Sequence, residues 1–235
     1  MRILPMVSIE LVIVLLIGAL IMCAMIALQM KWYSIAWWKG IVISAALVLT
    51  GVFGSQIWFF VENLEFGGRS FYGAIFFSPL VFWPLSKLLR IPYGEALDFV
   101  APAGCLTLAL VKIQCLRDGC CLGRILYVDE NHMYVRFPSQ IVEMAAFLLI
   151  SAILFALCYR GKIKGKIFPC FLVLYGASRF VLDFLRDVIA PYALGLSAGS
   201  FWSMISVIAG IIWLMLVKRR KNSARHSERS EEYTG

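Results

Sequence analysis

Residues 141–158 have the sequence IVEMAAFLLISAILFALC, an apolar stretch that contains a single charged residue, Glu143. A helix rises ~1.5 Å per residue, so about 20 such residues cross the ~30 Å hydrocarbon core of a bilayer. Cations follow this stretch at Arg160, Lys162, Lys164 and Lys166. Such cations are typical of the cytoplasmic side of a membrane. The stretch therefore predicts a membrane-spanning helix that ends in the cytoplasm.

The composition of the whole chain indicates the same class of protein. Of its 235 residues, 61% are apolar and 15% are charged, and the mean hydropathy is +0.84. Soluble domains have roughly 45–50% apolar and about 25% charged residues. Disordered chains combine low hydrophobicity with high charge. The composition therefore excludes a soluble globular enzyme and a disordered chain.

The net charge of +8 does not predict a nucleic-acid partner. The cations gather beside apolar runs, as at Lys218, Arg219, Arg220 and Lys221. That arrangement is typical of cytoplasmic flanks that face anionic lipid. We expect membrane lipid, and no nucleic acid, as the partner of these charges.

The fold class predicted is an all-α polytopic membrane protein with about seven transmembrane helices. Barrel strands are excluded because the apolar runs are too long and too uniform. Pro79 and Pro84 are expected to break the third span, and Pro102 to kink the fourth. The predicted spans are 7–28, 41–61, 71–88, 97–114, 141–158, 167–185 and 200–217.

The distribution of cations between loops predicts an outer N-terminus and a cytoplasmic C-terminus. With this orientation, the 160–166 loop and the C-terminal cations share the inner side. Residues 1–217 are then one membrane-embedded domain, and 218–235 are expected to form a basic, disordered cytoplasmic tail.

The sixth span carries a polar face inside the predicted membrane. Its members are spaced i, i+4, i+8 and i+11, so a helix places them on one side. Charges within spans cost about 2.5–3.5 kcal/mol each on insertion scales, so a reason for them is needed. Two hypotheses stay open, a salt bridge between helices and an anion site lined by two guanidiniums. The four residues are Tyr175, Arg179, Asp183 and Arg186.

The fifth span also begins with a polar face, because Gln140 and Glu143 share one side of the helix after Ser139. Tyr72 and Lys112 also fall near the outer ends of their helices in the predicted topology. A purely structural network has no reason to prefer one leaflet. The asymmetry predicts a site that is supplied from the outer leaflet.

The segment between the fourth and fifth spans is CLRDGCCLGR, at residues 115–124. Gly119 and Gly123 allow tight turns and a close approach to a ligand, and Arg124 adds positive charge. The cysteines suit a disulfide, a redox pair or simple packing. Zinc is not favoured, because adjacent Cys120 and Cys121 rarely both fit one tetrahedral site and no His accompanies them.

Several short segments, in the same order along the chain, resemble the prolipoprotein diacylglyceryl transferase family. The resemblance covers about residues 67 to 210. The segments are GGRSFYG at 67–73, LDFVAP at 97–102, CLRDGCCLG at 115–123, FPSQ at 137–140 with Glu143, YGASRFVLDFLRD at 175–187 and LSAGS at 196–200.

The resemblance implies transfer of a diacylglyceryl group from phosphatidylglycerol to the thiol of a lipobox cysteine in a prolipoprotein, with release of glycerol-1-phosphate. It also implies a bacterial cytoplasmic membrane enzyme with its site on the outer face, and no metal or organic cofactor. Two alternatives stay open: a non-catalytic relative that binds anionic lipid or lipoprotein, and an outward-facing thiol-redox protein.

The same resemblance implies roles for individual residues. The lipid phosphate is expected between Lys112 and Arg179, with Arg124 as a further candidate contact. Tyr72 is expected near the reacting carbon or thiol, with Asp183 orienting Arg179. Tyr72 stands where many members carry His, and Lys112 where an Arg is usual. The residues expected to bind substrate are Gly119, Gly123, Arg124, Ser139, Gln140, Glu143, Tyr175 and Arg186.

Overall fold

The computed structural model describes residues 9–65, 68, 70–130, 132–187 and 192–232. Its helices are α1 (Ile9–Tyr33), α2 (Trp37–Leu49), α3 (Ser55–Asn63), α4 (Phe71–Leu89), α5 (Tyr93–Asp98), α6 (Val100–Asp118), α7 (Ser139–Arg160), α8 (Ile167–Asp183) and α9 (Ala198–Glu232). A π-helical turn, Thr50–Gly54, joins α2 to α3. Strands β1 (Ile125–Val128) and β2 (Tyr134–Arg136) form a small antiparallel hairpin between α6 and α7.

Six helical segments of the described chain are long and apolar enough to cross a membrane. Helices α2 and α3 make one such segment with the π-helical turn, and α5 makes another with α6. Helix α8 has 17 residues and packs against α9. The prediction of an all-α polytopic membrane protein is confirmed. The first predicted span begins at residue 7, outside the described residues, and its helix continues to Tyr33.

The third span is not broken at its prolines, so that prediction is wrong. Helix α4 continues through both Pro79 and Pro84. Proline is tolerated in membrane helices because neighbouring groups satisfy the carbonyls that its missing N–H leaves free. The Tyr93 hydroxyl also donates to the carbonyl of Pro79 itself over 3.0 Å, which ties α4 to α5.

The fourth span is interrupted where Pro102 predicts it. Helix α5 ends at Asp98 and α6 begins at Val100. Proline has no N–H to donate to the carbonyl four residues earlier, and here that carbonyl belongs to Asp98. The Gln29 amide, which is fully buried, donates to this carbonyl over 3.4 Å.

The Asp98 carboxylate fixes the end of the bundle at which α8 begins. It accepts backbone hydrogen bonds from Gly165 over 2.6 Å and from Ile167 over 2.9 Å, and it accepts the Tyr33 hydroxyl over 2.8 Å. A carboxylate at a helix N-terminus is stabilised by the free N–H groups there. The 161–166 loop is thereby anchored to α1 and α5.

Helices α8 and α9 run antiparallel in close contact. Phe168 near the start of α8 packs on Trp213 near the middle of α9, with ring centroids 5.7 Å apart. Asp183 at the end of α8 reaches Ser197, just before α9. The cations of the 160–166 loop and those after residue 217 therefore lie at the same end of the bundle, as the loop charges predict.

Helix α9 continues to Glu232, whereas a disordered tail is expected from residue 218. The backbone of 218–232 is helical because the preceding span already supplies a helix nucleus. Extension of an existing helix fixes one residue at a time, and Lys, Arg and Glu are good helix formers.

Close approach of α8 and α9 depends on Gly176, and we expect Gly176→Ala to destabilise the protein by about 1–3 kcal/mol. A Cβ atom there would lie 2.8 Å from the Ser203 carbonyl oxygen in α9. Small residues let membrane helices approach in this way. The matched control is Gly51→Ala, because nothing lies within 4 Å of a Cβ at Gly51. Thermal unfolding in detergent tests the pair, and equal melting temperatures would contradict the interpretation.

Candidate active site

Glu143 is the centre of a buried group of charges that joins three parts of the chain. It lies in the first turns of α7, and its side chain is 1% exposed. Its carboxylate pairs with Lys112 Nζ from α6 and lies 3.2 Å from Arg179 Nη1 of α8. Arg186 Nε lies 3.6 Å from the same carboxylate. One carboxylate thus holds three cations together.

Asp183 forms the second anionic point of this cluster. Its Oδ1 is 3.0 Å from Arg179 Nη2 and 3.8 Å from Arg186 Nη1. The predicted pairing of Asp183 with Arg179 is confirmed. Arg186 lies beyond the end of α8, so its place on the helix face was wrongly predicted, although it reaches the same carboxylates.

Hydroxyl groups before and within α9 fix the position of Asp183. The Ser197 and Ser200 hydroxyls both donate to Asp183 Oδ2, the second over 2.9 Å. The Ser197 Oγ also accepts the backbone N–H of Ser200 over 3.0 Å, which caps the N-terminus of α9. The carboxylate that orients Arg179 is therefore fixed by the start of the next helix.

The cluster contains three cations and two carboxylates, so its formal charge is positive. The side chains of Lys112 and Arg179 are 10% and 11% exposed, and that of Arg186 is 20% exposed. Uncompensated positive charge at low exposure attracts an anion strongly, because little water screens it. The salt bridges between helices are present, and the excess cation makes the same group suited to an anionic ligand, so both hypotheses stay open.

Ser139 and Gln140 hold the cysteine loop over this cluster. The Ser139 hydroxyl donates to the carbonyl of Cys121 over 2.7 Å, and the Gln140 amide donates to that of Cys120 over 2.8 Å. Both side chains therefore fix the backbone of the loop. Their predicted contact with substrate stays a prediction.

The two glycines of this loop, Gly119 and Gly123, allow backbone conformations and contacts that a side chain would prevent. Gly119 ends α6 in the left-handed conformation, with φ +63°. A Cβ atom at Gly123 would lie 2.1 Å from the carbonyl oxygen of Phe137, so no larger residue fits there. The loop is thus drawn tightly against the start of α7.

The loop is also tied to the segment after α8. Gly123 forms a β-bridge with Arg186, and the Arg136 guanidinium lies 2.6 Å from the Asp187 carboxylate. Arg124 is exposed, and its backbone N–H donates to the carbonyl of Leu185 over 3.0 Å. Arg124 therefore lies at the rim, outside the buried cluster.

The two tyrosines of the candidate site are buried in different ways. The Tyr72 hydroxyl donates to the carbonyl of Gly199 over 2.8 Å and is 2.7 Å from the Ser203 hydroxyl. Tyr175 is 2% exposed, and its ring stacks on Phe171 with centroids 5.5 Å apart. Tyr72 is therefore engaged by α9, and Tyr175 belongs to the aromatic core below the charges.

If the chain carries out the transfer that the resemblance implies, Tyr72→Phe should keep at least about a tenth of the wild-type rate. The hydroxyl bonds to α9, so its loss removes a positioning contact worth about 1 kcal/mol rather than a proton acceptor. A transfer assay at several pH values tests this. A loss of more than about a hundredfold, the scale of a missing general base, would restore Tyr72 to the chemistry.

Three thiols gather at the end of α6, although adjacent cysteines are expected to fit poorly around one point. The sulfur atoms of Cys115, Cys120 and Cys121 all lie within 4.8 Å of one another. The hydrogen bond between Cys121 and Cys115, together with the charges of Lys112 and Arg186, lowers the pKa of the Cys121 thiol to about 5. The sequence showed the three residues but not their convergence.

An apolar cavity of about 330 Å³ opens between α1, α2, α4 and α6. Phe71 links it to the aromatic core below the charges, because it lines the cavity and its ring packs on Tyr175 with centroids 5.6 Å apart. The π-helical turn also contributes to the wall, and such turns are frequent at functional sites. Other lining residues include Met22, Gly51, Ala74, Gly104 and Val111.

Comparison of the amino-acid sequence with known proteins identifies relatives of this chain. Residues 55–216 match the family described as prolipoprotein diacylglyceryl transferase. The phosphatidylglycerol–prolipoprotein diacylglyceryl transferase of Polaromonas naphthalenivorans is 29% identical over 175 residues, which cover 68% of this chain and 63% of that protein.

Two further relatives carry the same name. The protein of Cupriavidus necator is 28% identical over 173 residues, covering 69% of this chain and 64% of its own length. That of Clostridium tetani is 23% identical over 196 residues, covering 74% and 79%. This chain thus spans 63% and 64% of the lengths of the Polaromonas and Cupriavidus proteins.

Proposed function

This chain belongs to the prolipoprotein diacylglyceryl transferase family, and we propose that it transfers a diacylglyceryl group from phosphatidylglycerol to the cysteine thiol of a prolipoprotein lipobox. Glycerol-1-phosphate is the leaving group. The observation that carries the proposal is the buried cluster of three cations around Glu143.

The cluster suits the charge that develops during this reaction. As the bond between the lipid carbon and the phosphate oxygen breaks, negative charge grows on the departing phosphate. Donors that are already in place stabilise such charge without reorganisation. Arg179 offers a planar fork for two phosphate oxygens, and Lys112 adds a point charge beside it. Asp183 fixes the direction of that fork.

The cations that pair with Glu143 would also bind the incoming phosphate. In the structure its carboxylate occupies the place between Lys112 and Arg179 that is expected for the headgroup. A phosphate that approaches from the side of Arg186, the most exposed of the three cations, meets the excess positive charge first. We propose that it enters there and draws Arg179 partly away from Glu143.

The apolar cavity supports binding of a lipid with acyl chains. Its lining residues include Met22, Val111 and Phe71, which offer the kind of hydrocarbon surface that an acyl chain contacts. Because Phe71 also contacts Tyr175 below the charged cluster, one lipid could place its headgroup and an acyl chain in both regions.

We propose that the cluster faces the outside of a bacterial cytoplasmic membrane. Glu143 and Asp183 lie at the opposite ends of α7 and α8 from the cationic 160–166 loop. Because cation-rich loops favour the cytoplasmic side, the cluster is then placed towards the outer leaflet. Lipobox peptides would approach from that side.

A reconstituted assay tests the proposed function. The purified chain is placed in liposomes that contain phosphatidylglycerol, and a lipobox peptide is added from the cluster side. We expect a thioether-linked diacylglyceryl peptide and an equal amount of glycerol-1-phosphate, both measured by mass spectrometry. Binding of phosphatidylglycerol without either product would favour the non-catalytic alternative.

A further inference from the structure

The three thiols of Cys115, Cys120 and Cys121 lie within 4.8 Å of one another, and the Cys115–Cys121 pair has the spacing of metal ligands. A metal–sulfur bond is about 2.3 Å long, so two sulfurs on one ion are about 3.8 Å apart in a tetrahedral site and about 4.0 Å apart in a trigonal one. The sulfurs of Cys115 and Cys121 are 4.0 Å apart. A disulfide requires about 2.05 Å, so the observed spacing matches ligands and not a covalent pair.

The backbone that carries these thiols is held in place from outside the cluster. Gln140 and Ser139 bond to the carbonyls of Cys120 and Cys121. Cys121 itself adopts a left-handed conformation, with φ +57°, which costs energy in a residue other than glycine. Outer hydrogen bonds that orient ligands are a regular feature of metal sites.

We propose that Cys115, Cys120 and Cys121 bind one soft metal ion of the Zn²⁺ class through three thiolates. Thiolate ligands select such ions over Mg²⁺ or Ca²⁺. Three thiolates and one divalent cation leave one negative charge. Lys112, one turn before Cys115 in α6, and Arg186, which pairs with Gly123 of the loop, offset it.

Three protein ligands leave a tetrahedral ion with an open fourth position. On the basis of the proposed function, we infer that this position takes the acceptor thiol of the lipobox peptide. Coordination would convert that thiol to a thiolate and release its proton to water. The thiolate then forms the S–C bond as the C–O bond to phosphate breaks, and the phosphate oxygen keeps the electron pair and takes a proton from water.

Metal binding would explain how the acceptor thiol loses its proton without Tyr72 as the base. The Tyr72 hydroxyl is engaged by Gly199 and Ser203. Ser139 and Gln140, which hold the thiol loop, lie in the same first turns of α7 as Glu143, and Gly123 of the loop pairs with Arg186, so the thiol cluster adjoins the proposed phosphate site. A metal-bound thiolate there would lie beside the cations that receive the leaving group.

Metal binding is tested on the full chain in detergent, after reduction, by titration with Cd²⁺ and Zn²⁺. We expect one ion per chain, with the ultraviolet thiolate-to-cadmium absorption. Cys115→Ser and Cys121→Ser should each weaken binding by more than the 10–100-fold that outer-shell partners contribute. The matched controls are Cys23→Ser and Cys170→Ser, which lie outside the cluster and should bind normally.

Several outcomes would overturn the site: no stoichiometric ion, equal binding by the cluster variants, or a disulfide within the cluster of the chain isolated without reductant. The titration does not depend on transfer. A metal-binding chain without transferase activity therefore overturns the proposed function alone. An active chain whose transfer rate is unchanged after chelation overturns the role of the ion.

Discussion

Arg179→Ala should lower the rate of diacylglyceryl transfer by about a hundredfold to a thousandfold. That is the usual effect of removing one preorganised donor from a developing anion. Arg179 is the only cation in the described cluster that contacts both carboxylates through its two terminal nitrogens. Initial rates with the lipobox peptide in phosphatidylglycerol liposomes measure the change.

Arg179→Lys is the matched control for charge. It keeps the cation but loses the planar fork, so we expect an intermediate rate. Both variants must reach the membrane and unfold near the wild-type temperature for the comparison to apply. Transfer by Arg179→Ala within about threefold of the wild type would remove Arg179 from the mechanism.

Glu143→Ala should destabilise the protein by about 3–5 kcal/mol, the cost of breaking a buried ion pair from one side. The substitution leaves Lys112, Arg179 and Arg186 close together with only Asp183 to compensate them. A second expectation follows, because an anion can replace the lost carboxylate. Phosphatidylglycerol should raise the melting temperature of Glu143→Ala more than that of the wild type.

The double variant Lys112→Met/Glu143→Ala provides the control. Removing one cation with the carboxylate relieves the excess charge, so it should unfold at a higher temperature than Glu143→Ala alone. Thermal unfolding in neutral detergent, with and without phosphatidylglycerol, measures all three proteins. If Glu143→Ala is as stable as the wild type, the carboxylate is not the electrostatic centre of the cluster.

The membrane spans were predictable because a span is recognised from the length of its own apolar run. No knowledge of its tertiary contacts is needed. The sequence was misleading where the surrounding structure decides whether a helix continues or ends. Pro79 and Pro84 indicate a broken helix, yet α4 is continuous through both, because packed membrane helices tolerate proline. The helix at 218–232 likewise depends on the span before it.

The part of the site that lies within one helix was also predictable, because it depends on local spacing alone. Helical spacing brings Arg179 and Asp183 together within α8, and this pair was found from the sequence. Contacts of Glu143 with Lys112 and Arg179 join three helices, and no local pattern encodes them. The hairpin at 125–136 was missed, although two short apolar runs flank the polar residues 129–132.

The position of the phosphate in a complex with phosphatidylglycerol tests the central claim most directly. A structure of the chain determined with this lipid, or with a non-cleavable analogue, would locate it. The account predicts a phosphate oxygen within hydrogen-bond distance of the Arg179 guanidinium and next to Lys112, with an acyl chain in the cavity beside Phe71. A headgroup bound elsewhere, with the Glu143 cluster closed and unchanged, would contradict it.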